Sequence, residues 1–315
     1  MDERQFGTTA LRVSALGLGC ARIGGIFQRD SKSFVDLLAA AKDRGINFFD
    51  TADMYSQGES EALIGRTFRR RRDRIVIATK VGYCLPAQRK LIARIKPIVR
   101  PLIRLLKIRR DQLPQGVRGE VKQDFSPGYI TKAVEGNLKR LRTDYLDILQ
   151  LHAPPAEIVA RGEWLSALEN LKKSGKIRYY GISCDTVEAA QAVLAYPGVS
   201  SLQVVVSLLE QGAVTEILPG AHTKGVGVIA RECLANGLLV KNEGEFDLKA
   251  YVHSPEQEAL RVEQLARYRD EARTKNVPLA RLALDYVSKL PGVSVSLIGV
   301  RNFEQLNSLL RVYAS

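Results

Sequence analysis

The chain is poor in the residues that build metal and disulfide sites. Its 315 residues include four cysteines, three histidines, two methionines and one tryptophan. Cys20, Cys84, Cys184 and Cys233 stand far apart and form no C-x-x-C pair, which argues against a disulfide framework or a zinc site and for a reducing compartment. His222 and His253 lack ligand spacing, so no metal site is expected. No apolar stretch reaches the length of a membrane-spanning helix, and the N-terminal MDERQFGTTALRVSALGLG has no apolar run behind a basic start. Neither a spanning segment nor a cleaved signal is expected, and the expected location is cytoplasmic. Acidic residues are also in deficit, 34 against 47 Lys and Arg, for a net charge of +13 that would suit nucleic acid, a membrane surface or a phosphorylated ligand.

What the chain does have is alternation. Short β-branched or apolar runs recur at 13–19, 46–50, 74–82, 145–152, 176–183, 201–207, 225–231 and 293–299, separated by helical patterns such as SFVDLLAAAKDRG, SEALIGRTFRR, ITKAVEGNLKRLR and LARLALDYVSKL. A chain of this length holds two average domains or one α/β barrel. Eight alternations without a long linker predict a (β/α)8 TIM barrel with an N-terminal β-hairpin, a single unit over 1–315. A doubly wound open sheet is the rival, and GLGCARIGG briefly suits it. That fingerprint fails because Arg22 stands where the third glycine should.

Residues 83–125 form an extended basic loop after the third strand that no barrel requires. Leu91, Ile92, Ile95, Val99, Leu102, Ile103 and Leu106 recur at helical spacing with Arg94, Arg100, Arg104 and Lys107 on other faces, while Pro97 and Pro101 divide the segment. Two readings stay open: a lid over the barrel mouth, or a docking element at 88–110 for anionic membrane or an acidic partner. The segment lacks the interleaved aromatics that single-strand stacking needs, so no nucleic-acid partner is expected. A polar loop at 233–255 is expected on the same barrel end.

The ends of strands two, three and four carry Asp50, Lys80 and His152, and Tyr55 follows Asp50 in FDTADMYSQGESE. Each alone has an ordinary reading: a turn aspartate, a solvent lysine, a satisfied core histidine. In a barrel they share one mouth. An ammonium beside a phenol stabilises phenolate, a carboxylate keeps that ammonium charged and in place, and an imidazole orients a carbonyl oxygen. Tyr55 would then exchange a proton with a carbonyl, and the matching hydride calls for a nicotinamide cofactor.

Through FDTADMY with GESEALIG, ATKVG, LKRLRTDYLDILQLH, GKIRYYGIS, GVIARECLANGLL and LIGVRNFEQL, the chain resembles the aldo-keto reductase family over nearly its whole length. The resemblance implies an NADPH-dependent reductase of aldehydes or ketones, with catalytic Asp50, Tyr55, Lys80 and His152. It implies that Ser183, Cys184 and Gln203 hold the nicotinamide carboxamide, that Arg231, Leu234 and Gly237 lie along the cofactor, and that Gly299, Arg301 and Gln305 receive its adenosine end, with Arg301 pairing a 2′-phosphate. Several positions depart from the family pattern. Cys184 replaces an Asn, Val206 an aromatic residue, Glu232-Cys233-Leu234 a Ser-Pro-Leu, and Ser308 and Leu309 a Glu and an Asn. The rival function is a nicotinamide-binding regulatory or interaction module with little turnover, docking through the basic insertion.

Overall fold

The computed structural model describes residues 1–24, 31–84, 122–241, 246–252 and 254–314. An antiparallel hairpin, β1 (Glu3–Gln5) and β2 (Arg12–Ser14), precedes the first barrel strand. Eight parallel strands then close on themselves: β3 (Leu16–Gly19), β4 (Phe48–Asp50), β5 (Val76–Val81), β8 (Leu146–His152), β9 (Ile177–Ser183), β10 (Ser201–Val205), β11 (Gly227–Arg231) and β12 (Val293–Gly299), with β12 pairing back to β3. Between β5 and β8, the short pair β6 (Tyr83–Cys84) and β7 (Lys122–Gln123) joins the two ends of the insertion. The expected lid or docking helix at 88–110 lies outside the described residues, as does His253.

Around the strands run α1 (Ser31–Asp43), α2 (Glu59–Phe68), α3 (Pro127–Leu141), α4 (Ala156–Arg161), α5 (Leu165–Lys173), α6 (Val187–Val193), α7 (Gly212–Glu216), α8 (Leu218–Thr223), α9 (Pro255–Thr274), α10 (Leu279–Lys289) and α11 (Phe303–Ala314). The architecture is the (β/α)8 barrel that the alternation predicts. Side-chain capping sets several helix starts: Ser126 accepts from the Tyr129 amide, Thr186 from Ala189 and Ser254 from Gln257. Among the described residues no helix is long and apolar enough to cross a membrane.

Burial falls into two layers. The larger fills the space between strands and helices and includes Phe34, Phe49, Ile64, Trp164, Tyr180 and Leu284. The smaller lies inside the barrel, where Phe6, Leu11 and Val13 of the hairpin region meet Phe48, Ile148 and Val295, with the Phe6 and Phe48 rings stacked at 6.1 Å. The hairpin therefore plugs the end of the barrel at which the strands begin. The strand C-termini are left as the mouth.

One glycine aligns the far side of that mouth. A Cβ on Gly181 would sit 1.8 Å from the Ser201 carbonyl oxygen, so a bare Cα is needed for β9 to lie against β10 in the register that puts Ser183 opposite Gln203. Gly181→Ala is expected to destabilise the protein by about 3 kcal/mol through overpacking against backbone. Urea melts check it, and a midpoint equal to wild type would show that the strands separate without loss.

Candidate active site

The four residues singled out for chemistry converge at the mouth. The Lys80 ammonium donates to both Asp50 carboxylate oxygens at 2.7 Å and to the Thr51 carbonyl at 3.0 Å, and stands 3.4 Å from the Tyr55 hydroxyl. The imidazole of His152 meets the Tyr55 ring edge-on at 5.7 Å between centroids and the Tyr83 ring at 4.9 Å. Neighbouring strands fix this: Lys80 is at the end of β5, whose partners β4 and β8 end in Asp50 and His152.

Tyr55 is delivered by the loop between β4 and α2. The Tyr55 amide closes a turn onto the Ala52 carbonyl, and the Ser56 hydroxyl donates to the Ile23 carbonyl at 3.0 Å. Gly58 then caps α2 at φ +82, where an added Cβ would lie 2.6 Å from the Arg140 side chain. That arginine donates to Glu61, which also accepts from Thr79, so the start of α2 is tied to β5 and α3. Left-handed backbone appears at non-glycine residues directly after three of the candidate site residues: Ser56 and Gln57 after Tyr55, Ala153 after His152, and Glu232 after Arg231. Each such residue costs about 1–3 kcal/mol, which the surrounding packing must offset.

Burial and charge set the protonation states. Removal from water alone would depress the Lys80 ammonium, but Asp50 and then Tyr55 outweigh it, and its pKa lies above the ordinary lysine value. Tyr55 is raised: burial dominates, and the opposing pull of Lys80 does not overcome it. Lys80 does draw the phenol downward, as its place beside Tyr55 leads one to expect, but burial pushes it further up. Tyr55 is held as a neutral phenol. Burial, reinforced by Lys80 and Arg231, drives His152 down to about 2, so its imidazole is neutral across the working range. Its Nδ1 is buried without a hydrogen-bond partner among the described residues.

The neighbouring strand ends form a second cluster. Ser183 donates to the Gln203 side-chain oxygen at 3.0 Å, and the Gln203 amide donates to Asp50 at 2.8 Å. Cys184 is buried in the layer outside the barrel and lines a cavity with Ala190, Val204 and Ile217. Its thiol is pushed up to about 12 by burial, then by Asp185. Only its backbone faces the charged group next door, the carbonyl accepting from Arg231 at 3.3 Å. Arg231 also pairs with Asp185 at 2.6 Å and with Glu232, so the acid in place of the family's Ser is neutralised within the loop. Leu234 and Gly237 lie in the following turn, where the Gly237 amide donates to the Leu234 carbonyl.

On the far side of β11, Gly299 ends β12 in open space, and the Arg301 amide donates to the Gln305 side chain while Gln305 is itself capped by Asn302. Arg301 is exposed; Ser308 is exposed and Leu309 is buried in the core. Sequence reasoning missed Asp53, two residues before the phenol. Burial, reinforced by Glu61 and opposed by Arg140, raises its carboxyl to about 7, and its Oδ1 has no hydrogen-bond partner among the described residues. Among those residues no cluster of His, Cys, Asp and Glu could hold a metal.

Comparison with known proteins places the whole chain in a family. The model of the aldo/keto reductase family matches residues 15–315. The chain belongs to the aldo-keto reductase family. Curated relatives include an uncharacterised oxidoreductase, YqkF, of Bacillus subtilis, 30% identical over 97% of this chain and 89% of the relative, and a pyridoxal 4-dehydrogenase of Microbacterium luteolum, 30% identical over 97% and 91%. The holo form of an aldo-keto reductase from Bacillus halodurans superposes with a TM-score of 0.80 at 29% identity, covering 100% of this chain and 91% of that one. As a member of that family the protein is an oxidoreductase, and its relatives support carbonyl reduction as its reaction type.

Proposed function

We propose that the protein is an NADPH-dependent reductase of aldehydes or ketones, with Tyr55 as the general acid. The observation that carries this reading is the buried Asp50–Lys80 pair lying under the Tyr55 hydroxyl, with a neutral His152 beside it. A carbonyl oxygen placed between Tyr55 and His152 accepts a hydrogen bond from the imidazole and receives the phenol's proton. Lys80 stabilises the phenolate left behind, and Asp50 holds Lys80 in place and charged. Reduced nicotinamide, when bound, supplies the hydride to the carbonyl carbon.

The residues fit that cofactor. Ser183 and Gln203 form an amide-compatible pair beside Asp50, Gly299 leaves room for close approach, and Arg301 presents an exposed guanidinium for a 2′-phosphate. Cys184 offers its backbone, not its thiol. Arg231, Leu234, Gly237 and Gln305 complete the proposed contact surface between those ends.

The test follows NADPH absorbance over a panel of aromatic and aliphatic aldehydes, with Tyr55→Phe beside wild type. Turnover reduced by about a hundredfold or more in the variant, with NADPH binding retained, is the expected result. Equal rates in both proteins would remove Tyr55 from the chemistry. The same experiment carries a pH expectation. Because His152 is already neutral, no imidazole titration should appear between about pH 5 and 8, and a His152→Gln variant should keep the shape of the wild-type profile.

A further inference from the structure

A second cationic site lies at the opposite end of the barrel. Helices in this fold run against the strands, so the ends of α1, α2 and α3 are on the plugged face, away from Tyr55. The run 66–74, RTFRRRRDR, places six arginines and one aspartate at the end of α2. One is engaged elsewhere, Arg72 pairing with buried Asp147 at 2.7 Å, and nearby Arg140 of α3 is held by Glu61. Arg71 reaches Asp43 at 3.7 Å with both side chains more than half exposed, a weak pair. Arg66, Arg69, Arg70 and Arg142 are exposed and have no carboxylate partner among the described residues.

These groups are not scattered. Arg66, Arg69, Arg70, Arg71 and Arg142 line one cavity of about 470 Å³, in which Asp43 is the single acid among the described residues. A helix C-terminus carries about half a negative charge, which one cation near each end answers. Five guanidinium groups around one concavity exceed that need and repel one another. Arg142 in addition occupies a left-handed C-cap position, φ 55, where Gly or Asn is usual.

We propose that this cavity binds a small molecule bearing two or more phosphate groups. Its volume is in the range of small-ligand pockets, and planar guanidinium forks bind phosphate oxygens in pairs where lysines would act as point charges. The surroundings disfavour larger anions. Phe68, the aromatic residue of the run, is buried and offers no face for stacking a base. Among the described residues, none of the exposed large apolar side chains, Met1, Val240, Leu260 and Val262, lines the cavity, so none of them would carry it into a lipid surface.

Calorimetric titration of the full chain with inorganic tripolyphosphate tests the site, using wild type, Arg69→Ala/Arg70→Ala/Arg142→Ala, Arg70→Glu alone, and Arg301→Ala to exclude the proposed cofactor contact. Saturable binding that both cavity variants weaken by about tenfold or more, that Arg301→Ala leaves unchanged, and that weakens with added salt is expected. Circular dichroism melts confirm that the exposed substitutions leave the fold intact. Absence of binding, equal affinity in the cavity variants, or loss confined to Arg301→Ala would overturn the proposal. So would vesicles of anionic lipid, or single-stranded RNA, that bind through these arginines while tripolyphosphate does not.

Discussion

Lys80→Met is expected to lose ~3–5 kcal/mol of stability and ~10³-fold in turnover. Lys80 and Asp50 are almost fully buried, with side chains 1% and 5% exposed. Removing the ammonium leaves the Asp50 carboxylate in a low-dielectric site with the Gln203 amide as its remaining side-chain donor among the described residues, a far weaker compensation than a full charge. The phenol loses the cation that stabilises its conjugate base, and burial then acts on Tyr55 unopposed from that side. Stability and catalysis separate in the double variant Asp50→Asn/Lys80→Met. Replacing both charges removes the uncompensated carboxylate, so much of the stability should return while turnover stays low. Urea melts and kcat/KM measured on the three proteins decide it. A single variant as stable as wild type would mean that water or a rearranged side chain reaches Asp50.

Asp53→Asn is expected to change how stability depends on pH. A carboxyl whose folded-state pKa is raised, here from 3.8 to about 7, holds its proton in the folded protein over a range in which the unfolded chain has released it. Below the unfolded value both states are protonated and the residue costs nothing. As pH rises toward 7 the unfolded state gains, and stability falls to a new plateau above the folded value. With each tenfold change in proton affinity equal to about 1.4 kcal/mol, the full loss is at most about 4 kcal/mol. The cause is burial first, then Glu61, with Arg140 and Lys80 only partly opposing. Thermal melts of wild type and variant from about pH 4 to about pH 8 should diverge in the variant's favour as pH rises. Parallel curves would assign the titration to another group.

Asp53 also shows where sequence reasoning stops. The spacing of Asp50 and Tyr55 around it is legible because two strands and a loop must bring an acid and a phenol to one mouth. A third acid in the same turn looks like ordinary turn chemistry until Glu61 is seen beside it. The barrel was legible for a related reason: eight runs with turn or helix signals between them admit few closed arrangements. Boundaries were less so, since 13–19 spans both a hairpin strand and the first barrel strand, divided at Ala15. Helix α9 carries no legible period because its twenty residues bury only Leu265, Tyr268 and Ala272. Cys184 was readable as a departure from the family pattern, but not as a side chain packed in the layer outside the barrel just past β9. The arginines of 66–74 read as the basic end of a helix; that they surround a cavity with Arg142, some seventy residues away, is a fact of packing alone.

Gln203 has one amide group and two obligations. Its oxygen is taken by Ser183 and its nitrogen by Asp50, so the expected grip for a ligand's carboxamide and the ion pair beneath the phenol are adjoining links of one chain. A second N–H and a second lone pair remain on the amide, so a ligand can engage Gln203 while both links hold. The β10 side of the mouth is thus joined, through two hydrogen bonds, to the Asp50–Lys80 pair beneath Tyr55 on the β4 side.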